Sequence, residues 1–189
     1  MFQIAIGNTF WFFIAYGVIT MMTLKRLPKE KRQKILTRTP QGTSIERLCS
    51  VCNVTSRYIM MLLSFFLPFG HHLEWTLIGG IIYLLGLSLS TIAIWQFGQA
   101  DLEKPVTSGL YHISRNPMHV MGFAMNIGIA ILTENILMYI LVLINIVVSY
   151  PMFSLQERFC LDKYGSEYEE YMEKTPRIIF YNRKRKNKL

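Results

Sequence analysis

The sequence predicts an all-α integral membrane protein with about five transmembrane helices. Three observations carry this reading. The 189 residues are 51% hydrophobic and only 17% charged, with a positive mean hydropathy of +0.28, too apolar for a soluble domain of this size. The apolar residues gather into five runs, at about 2–24, 51–69, 73–97, 118–132 and 136–155, which have or approach the length a spanning helix needs. The basic residues avoid the two short connections, "GHHLE" and "TEN", and crowd the long ones.

The first run has no basic residue before it and many after it, the reverse of a cleavable signal peptide, and reads as a permanent helix. The stretch from Lys25 to Arg47, with Pro28, Pro40 and Gly42, reads as a polar connector holding one basic amphipathic turn. The second run ends at Pro68 and Gly70 and contains Arg57, one to two turns from its basic end. A cation there either snorkels to lipid phosphate or faces the bundle and orients an anionic substrate group. In the third run Gly79, Gly80 and Gly86 are small residues of the kind that let membrane helices approach closely. The fourth run rises only about 23 Å as a helix, so the last two runs are expected to form a tight helical hairpin. Pro151 is expected to kink the fifth.

Charge sets the orientation. Of the 20 Lys and Arg residues, eight lie between Lys25 and Arg47, two (Lys104 and Arg115) between the third and fourth runs, and nine after Gln156. The positive-inside rule then puts the N-terminus outside and both basic loops and the C-terminal tail in the cytoplasm. The net charge of +8 is mostly this topology signal. The basic tail at 181–189 reads as a contact for anionic lipid headgroups, with no nucleic-acid partner expected. Cys49 and Cys52 form a CxxC, but no further pair of ligands stands at a zinc spacing, so no metal is expected and the cysteines read as small apolar helix residues.

After Pro151 the chain changes character. A helix from about Ser154 to Lys163, a break at Gly165 and a second helix opening on a Ser166–Glu169 capping box are expected, with Pro176 as a stop. Tyr164, Tyr168 and Tyr171 recur at i, i+4 and i+7 along one face, which suits interfacial anchoring. Polar residues converge on one membrane face from three places: Gln96 to Val106, Gly109 to His119, and Gln156 to Arg158. Asn116–Pro117 is a strong helix start. The same helix N-terminus also suits the carboxylate of a small zwitterionic ligand.

"PVTSGLYHISRNPMHVMGF" followed by "QERFCLDKYGSEYEEYMEKTPR" resembles the C-terminal region of the isoprenylcysteine carboxyl methyltransferase and phospholipid methyltransferase group. That pattern runs V-T-x-G-x-Y, R-H-P-x-Y, a helical hairpin, E-E-R, then F-G-x-x-Y-x-x-Y ending in R-x-P or V-P-R. The likeness covers residues 96–177. It implies an S-adenosylmethionine-dependent methyltransferase whose C-terminal helical cap, at about 156–180, closes over a cofactor pocket on the cytoplasmic side. By position, the resemblance puts Gln96, the backbone around Glu103, Lys104, Pro105 and Val106, Tyr111, and Asn116, Pro117, Met118 and His119 on the cofactor. Gln156 and Glu157 meet it from the fifth run. Arg115 and Arg158 are cations of the pocket or its support, and Tyr168, Tyr171 and Arg177 belong to the closing tail.

Three positions depart from the pattern. Asn116 replaces its histidine, His119 its tyrosine, and Gln156 the first glutamate of its pair. Two neutral amides lose the charge assistance that roughly doubles such hydrogen bonds, so weakened cofactor binding is expected. Methyl transfer from a sulfonium needs mainly alignment. Glu157 and His119 are the candidate bases, with Arg158 as a supporting cation, and their scarcity leans toward a carboxylate or thiol acceptor over an amine. A site at the interface fits a lipid or other amphiphilic acceptor. The competing reading is a non-catalytic relative kept as a membrane scaffold or lipid-binding protein.

Overall fold

A computed structural model describes residues 8–36, 42–101 and 103–179. They form eight helices and, among the described residues, no strand: α1 (Phe10–Lys25), α2 (Lys29–Leu36), α3 (Ser44–Ser64), α4 (Leu73–Gln99), α5 (Leu110–Ile113), α6 (Pro117–Thr133), α7 (Ile136–Tyr164) and α8 (Ser166–Lys174). The first residues of the expected first run and the basic tail at 181–189 lie outside the described residues.

Two helices, α4 and α7, are long and apolar enough to cross a membrane; α1 and α6 are apolar but shorter. Trp75, Leu77, Ile81, Leu84 and Leu85 on α4, and Leu143, Val147 and Tyr150 on α7, are exposed. Large apolar side chains turned outward along whole helices are what a lipid-facing surface requires.

The helices pair as α4 with α6 and α3 with α7. Glycine permits the first pairing. A Cβ built on Gly79 would stand 2.7 Å from the Gly128 carbonyl oxygen, and one on Gly86 would stand 2.9 Å from that of Met121. Gly80, the third small residue of that run, faces open space and takes no part. The second pairing is polar. The Asn53 amide donates to the Asn145 carbonyl (3.2 Å) and the Ser149 hydroxyl (2.6 Å), while Asn145 donates to the Asn53 carbonyl and the Ser56 hydroxyl, both at 3.0 Å. Reciprocal amides of this kind hold helices together where apolar burial supplies little drive. Between the two pairs sit Met60, Tyr83, Leu87, Met125, Ile129, Met138 and Val142.

Two boundaries and one cap differ from expectation, while the break at Gly165 and the opening of α8 at Ser166 stand as expected. Helix α3 begins at Ser44 and ends at Ser64, because Thr43 and Glu46 form a capping box that starts the helix among charged residues before the apolar run opens. Helix α7 continues through Pro151 to Tyr164, so the expected helix at 154–163 is the C-terminal end of the same helix. Gly165, at φ +56°, ends α7 and is itself the N-cap of α8; Ser166 is then already helical and its capping box with Glu169 does not form. The left-handed backbone there favours glycine.

At the other pole, the Glu134 carboxylate accepts from the His72 ring (2.8 Å) and the His72 amide (3.1 Å), joining the α3–α4 connection to the α6–α7 turn. The hydrogen bond from Glu134 raises the His72 pKa above its ordinary 6.5, and His72 in turn lowers that of Glu134.

Candidate functional site

The three polar stretches meet at the end of the bundle formed by the C-terminus of α4, α5, the start of α6, the end of α7, and α8. They enclose a cavity of about 240 Å³. Its walls include Pro105, Val106 and Tyr111, then Arg115, Asn116, Pro117, Met118 and His119 from the start of α6, with Gln156 from α7 and Tyr168 and Tyr171 from α8. Phe97, Phe159, Cys160 and Tyr164 also line it and were not anticipated. Continuing the α7 face from Gln156 by three, four and eight residues reaches the last three, so the helical period held the signal.

Tyr168 and Tyr171 are buried, their ring centroids 5.6 Å apart, and Tyr164 follows at 6.5 Å from Tyr168. Burial pushes the Tyr111, Tyr168 and Tyr171 phenols above the usual tyrosine range, so all three are neutral hydroxyls at physiological pH. The Tyr171 hydroxyl donates to the Tyr111 carbonyl at 2.6 Å and fastens α8 to α5. A second fastening follows α8. The Arg115 amide donates to the Pro176 carbonyl (2.9 Å), and the Ser114 hydroxyl (3.1 Å) and Asn116 amide (3.2 Å) donate to the Arg177 carbonyl. Asn116 is therefore the N-cap of α6 by position, but its side chain does not cap; it holds this strap.

Behind the cavity wall lies a charge cluster. Glu157, buried, receives the Arg177 guanidinium in a fork, through Nε to Oε1 (2.9 Å) and Nη2 to Oε2. Arg177 also donates to the Ser154 hydroxyl (3.2 Å) and lies over the Tyr150 ring (4.8 Å). Burial works against its charge, but the Glu157 hydrogen bonds outweigh that and raise its pKa. Arg115 Nη1 lies 3.2 Å from Glu157 Oε1, an ion pair without hydrogen-bond geometry. The Arg115 side chain is 10% exposed, and its Nε and Nη1 have no hydrogen-bond partner among the described residues. Buried unsatisfied guanidinium N–H groups beside a cavity are the donors an anionic group would take.

Other anticipated residues stand elsewhere. Gln96 accepts from the Leu110 amide at 3.0 Å, and its side chain fills the space beside Gly109, whose φ is +63°. It supports the turn into α5. Glu103 and Lys104 are exposed, the Glu103 amide donating to the Asp101 carboxylate at 3.1 Å. Glu157 sits behind the wall. Arg158 is half exposed and pairs with Glu46 at 2.6 Å, joining α7 to the start of α3; this bond, with the Thr43 amide, holds the Glu46 carboxyl below its usual range. Arg57 is exposed on α3 and donates to Asn53 Oδ1 at 2.9 Å. Among the described residues no group of three or more His, Cys, Asp or Glu could hold a metal ion.

The family described as phospholipid methyltransferase matches residues 75–167, from the first turn of α4 to the start of α8. That likeness covers 93 of the 189 residues. The matched region contains most of the cavity wall, the tyrosines of α8 and the strap lying at or just beyond its end. A similar protein is the nickel-cobalt-cadmium resistance protein NccN of Alcaligenes xylosoxydans xylosoxydans, 26% identical over 98 residues that cover 49% of this chain and 46% of that one. The match thus spans about half the length of that relative. No solved structure matches the chain.

Proposed function

We propose that the protein is an S-adenosylmethionine-dependent methyltransferase that acts at the cytoplasmic membrane face on an amphiphilic acceptor. The observation that carries the reading is Arg115, a buried cation with unsatisfied N–H groups at the wall of an aromatic cavity, inside the matched region. A zwitterionic ligand with a carboxylate, a sulfonium and a flat heterocycle suits that lining. Arg115 would hold the carboxylate. Phe97, Phe159 and the α8 tyrosines would offer ring faces to the cation and the heterocycle. When bound, S-adenosylmethionine supplies a methyl group on an already activated sulfonium.

The chain's own share is alignment and the exclusion of water. The Tyr171–Tyr111 bond and the strap hold α8 and the segment after it beside the cavity. Glu157, forked by Arg177 and paired with Arg115, is ill placed to take a proton without losing both cations. His119, at the cavity wall with its ring edge-on to Phe153 (5.3 Å) and no side-chain hydrogen bond among the described residues, is then the available base. One such base suits a thiol, and a carboxylate needs none; an amphiphilic carboxylate or thiol is the proposed acceptor. Five spans, an outside N-terminus and a cytoplasmic C-terminal segment complete the reading, supported by the charge distribution, the outward apolar faces and the family.

Calorimetry on the purified, detergent-solubilised protein tests the reading. Binding of S-adenosylmethionine at micromolar to submillimolar concentration is expected, with methyl transfer from labelled cofactor into membrane extract. Absence of binding at millimolar cofactor overturns it. Binding without transfer to any extract assigns the scaffold role instead.

A further inference from the structure

We infer that Arg177 is a positioning residue that keeps Arg115 free for the anionic group of a bound ligand by occupying Glu157. The inference deepens the proposed function and rests on it for the identity of the ligand.

Two guanidinium groups compete for one buried carboxylate. Arg177 takes both Glu157 oxygens in a parallel fork, the geometry in which an arginine binds a carboxylate most strongly. Arg115 reaches Oε1 only at 3.2 Å and outside hydrogen-bond geometry; its Nε and Nη1 are buried without partners among the described residues, and the residue lines the cavity. The three charges sum to one positive charge, and of the two arginines Arg115 is the one that lines the cavity. Without Arg177, Glu157 would have no fork partner and Arg115 would be the nearest cation to take its place. Arg115 would then close from its 3.2 Å contact into hydrogen bonds with Glu157, and the local charge would fall to zero. The remaining Arg177 contacts, to Ser154 and the Tyr150 ring, place its head beside α7. It acts through Glu157 and Arg115, not on the ligand.

The consequence separates this role from a purely structural one. Arg177→Ala should weaken S-adenosylmethionine binding about tenfold, and Glu157→Gln added to it should bring binding back to within about threefold of the wild type, because a neutral amide no longer captures Arg115. Arg177→Lys, a point charge without a fork, should lie between. Phenylglyoxal labelling read by mass spectrometry supplies a measure that needs no cofactor. Arg115 should react in the wild type, be protected in Arg177→Ala and react again in the double variant, with the exposed arginines as internal standards. If Arg177→Ala cannot be purified folded, Arg177→Lys and the double variant carry the same comparison. A double variant as weak as the single one, or Arg115 labelling that is equal throughout, overturns the inference. Failure of the wild type to bind S-adenosylmethionine overturns the proposed function, while the labelling pattern still decides this one.

Discussion

The hydroxyl of Tyr171 and the carbonyl of Tyr111, 60 positions apart in sequence, meet at 2.6 Å and are the direct side-chain link between α8 and the short helix at the cavity wall. Phenylalanine at 171 keeps the ring but leaves a buried carbonyl without this donor, a net cost of about 1 kcal/mol. Tyr171→Phe should raise the cofactor Kd by roughly fivefold and speed tryptic cleavage after Lys174, with thermal stability of the long helices little changed. An unchanged Kd would show that α8 is held by the strap alone.

Gly79 and Gly80 provide a matched pair on adjacent faces of α4. Gly79→Leu drives a side chain into the backbone of α6, where a Cβ alone would lie 2.7 Å from the Gly128 oxygen. Gly80→Leu enters open space. The first should destabilise by about 1–3 kcal/mol or block folding, and the second should not lower the thermal midpoint, as measured in one detergent.

The His72–Glu134 contact is pH-dependent at a pole remote from the cavity. His72 has a raised pKa, so its contribution is complete below about 6.5 and fades as pH rises through the higher folded value. Glu134 has a lowered pKa, so its contribution is complete above about 4.5 and fades as pH falls through the lower folded value. The window of full strength lies between. Hydrogen exchange at the His72 amide, corrected for intrinsic rate, should be slowest near pH 5.5 to 6 and faster at pH 8.5. His72→Gln should flatten that dependence.

Arg57 is exposed on α3 beside the Asn53 clasp and donates to Asn53 Oδ1. As a contact for an anionic acceptor group, it should act on acceptor binding alone. Arg57→Ala should raise the acceptor KM by about tenfold, the worth of a hydrogen bond to a charged group, and leave cofactor Kd within about twofold. Equal loss of both would mark a structural role.

Local chemistry made the helices and the doorway at 109–119 readable, because apolar runs, Asn116–Pro117 and Gly165 act over one or two turns. The placing of Gln96 has a tertiary reason. Its side-chain oxygen accepts from the Leu110 amide, across a turn that Gly109's backbone makes possible. The start of α3 was readable in Thr43 and Glu46, yet counting apolar residues passed over it. The Glu157–Arg177 fork had no sequence signal, since 20 residues and a left-handed joint separate its ends and no period connects them. Sequence likeness placed both residues near the site, but only the packing shows that one carboxylate is shared between two arginines.

The strap at Pro176 and Arg177 reaches back to Ser114, Arg115 and Asn116, and this ties completion of the site to one late segment. Residues 165–177 follow every long helix among the described residues, so the long helices can pack without the segment that finishes the cavity. Until that segment docks, Arg115 has Glu157 to itself. A bundle with its strap undocked would thus be folded but ligand-incompetent, and docking of the strap, not packing of the long helices, would switch the site on.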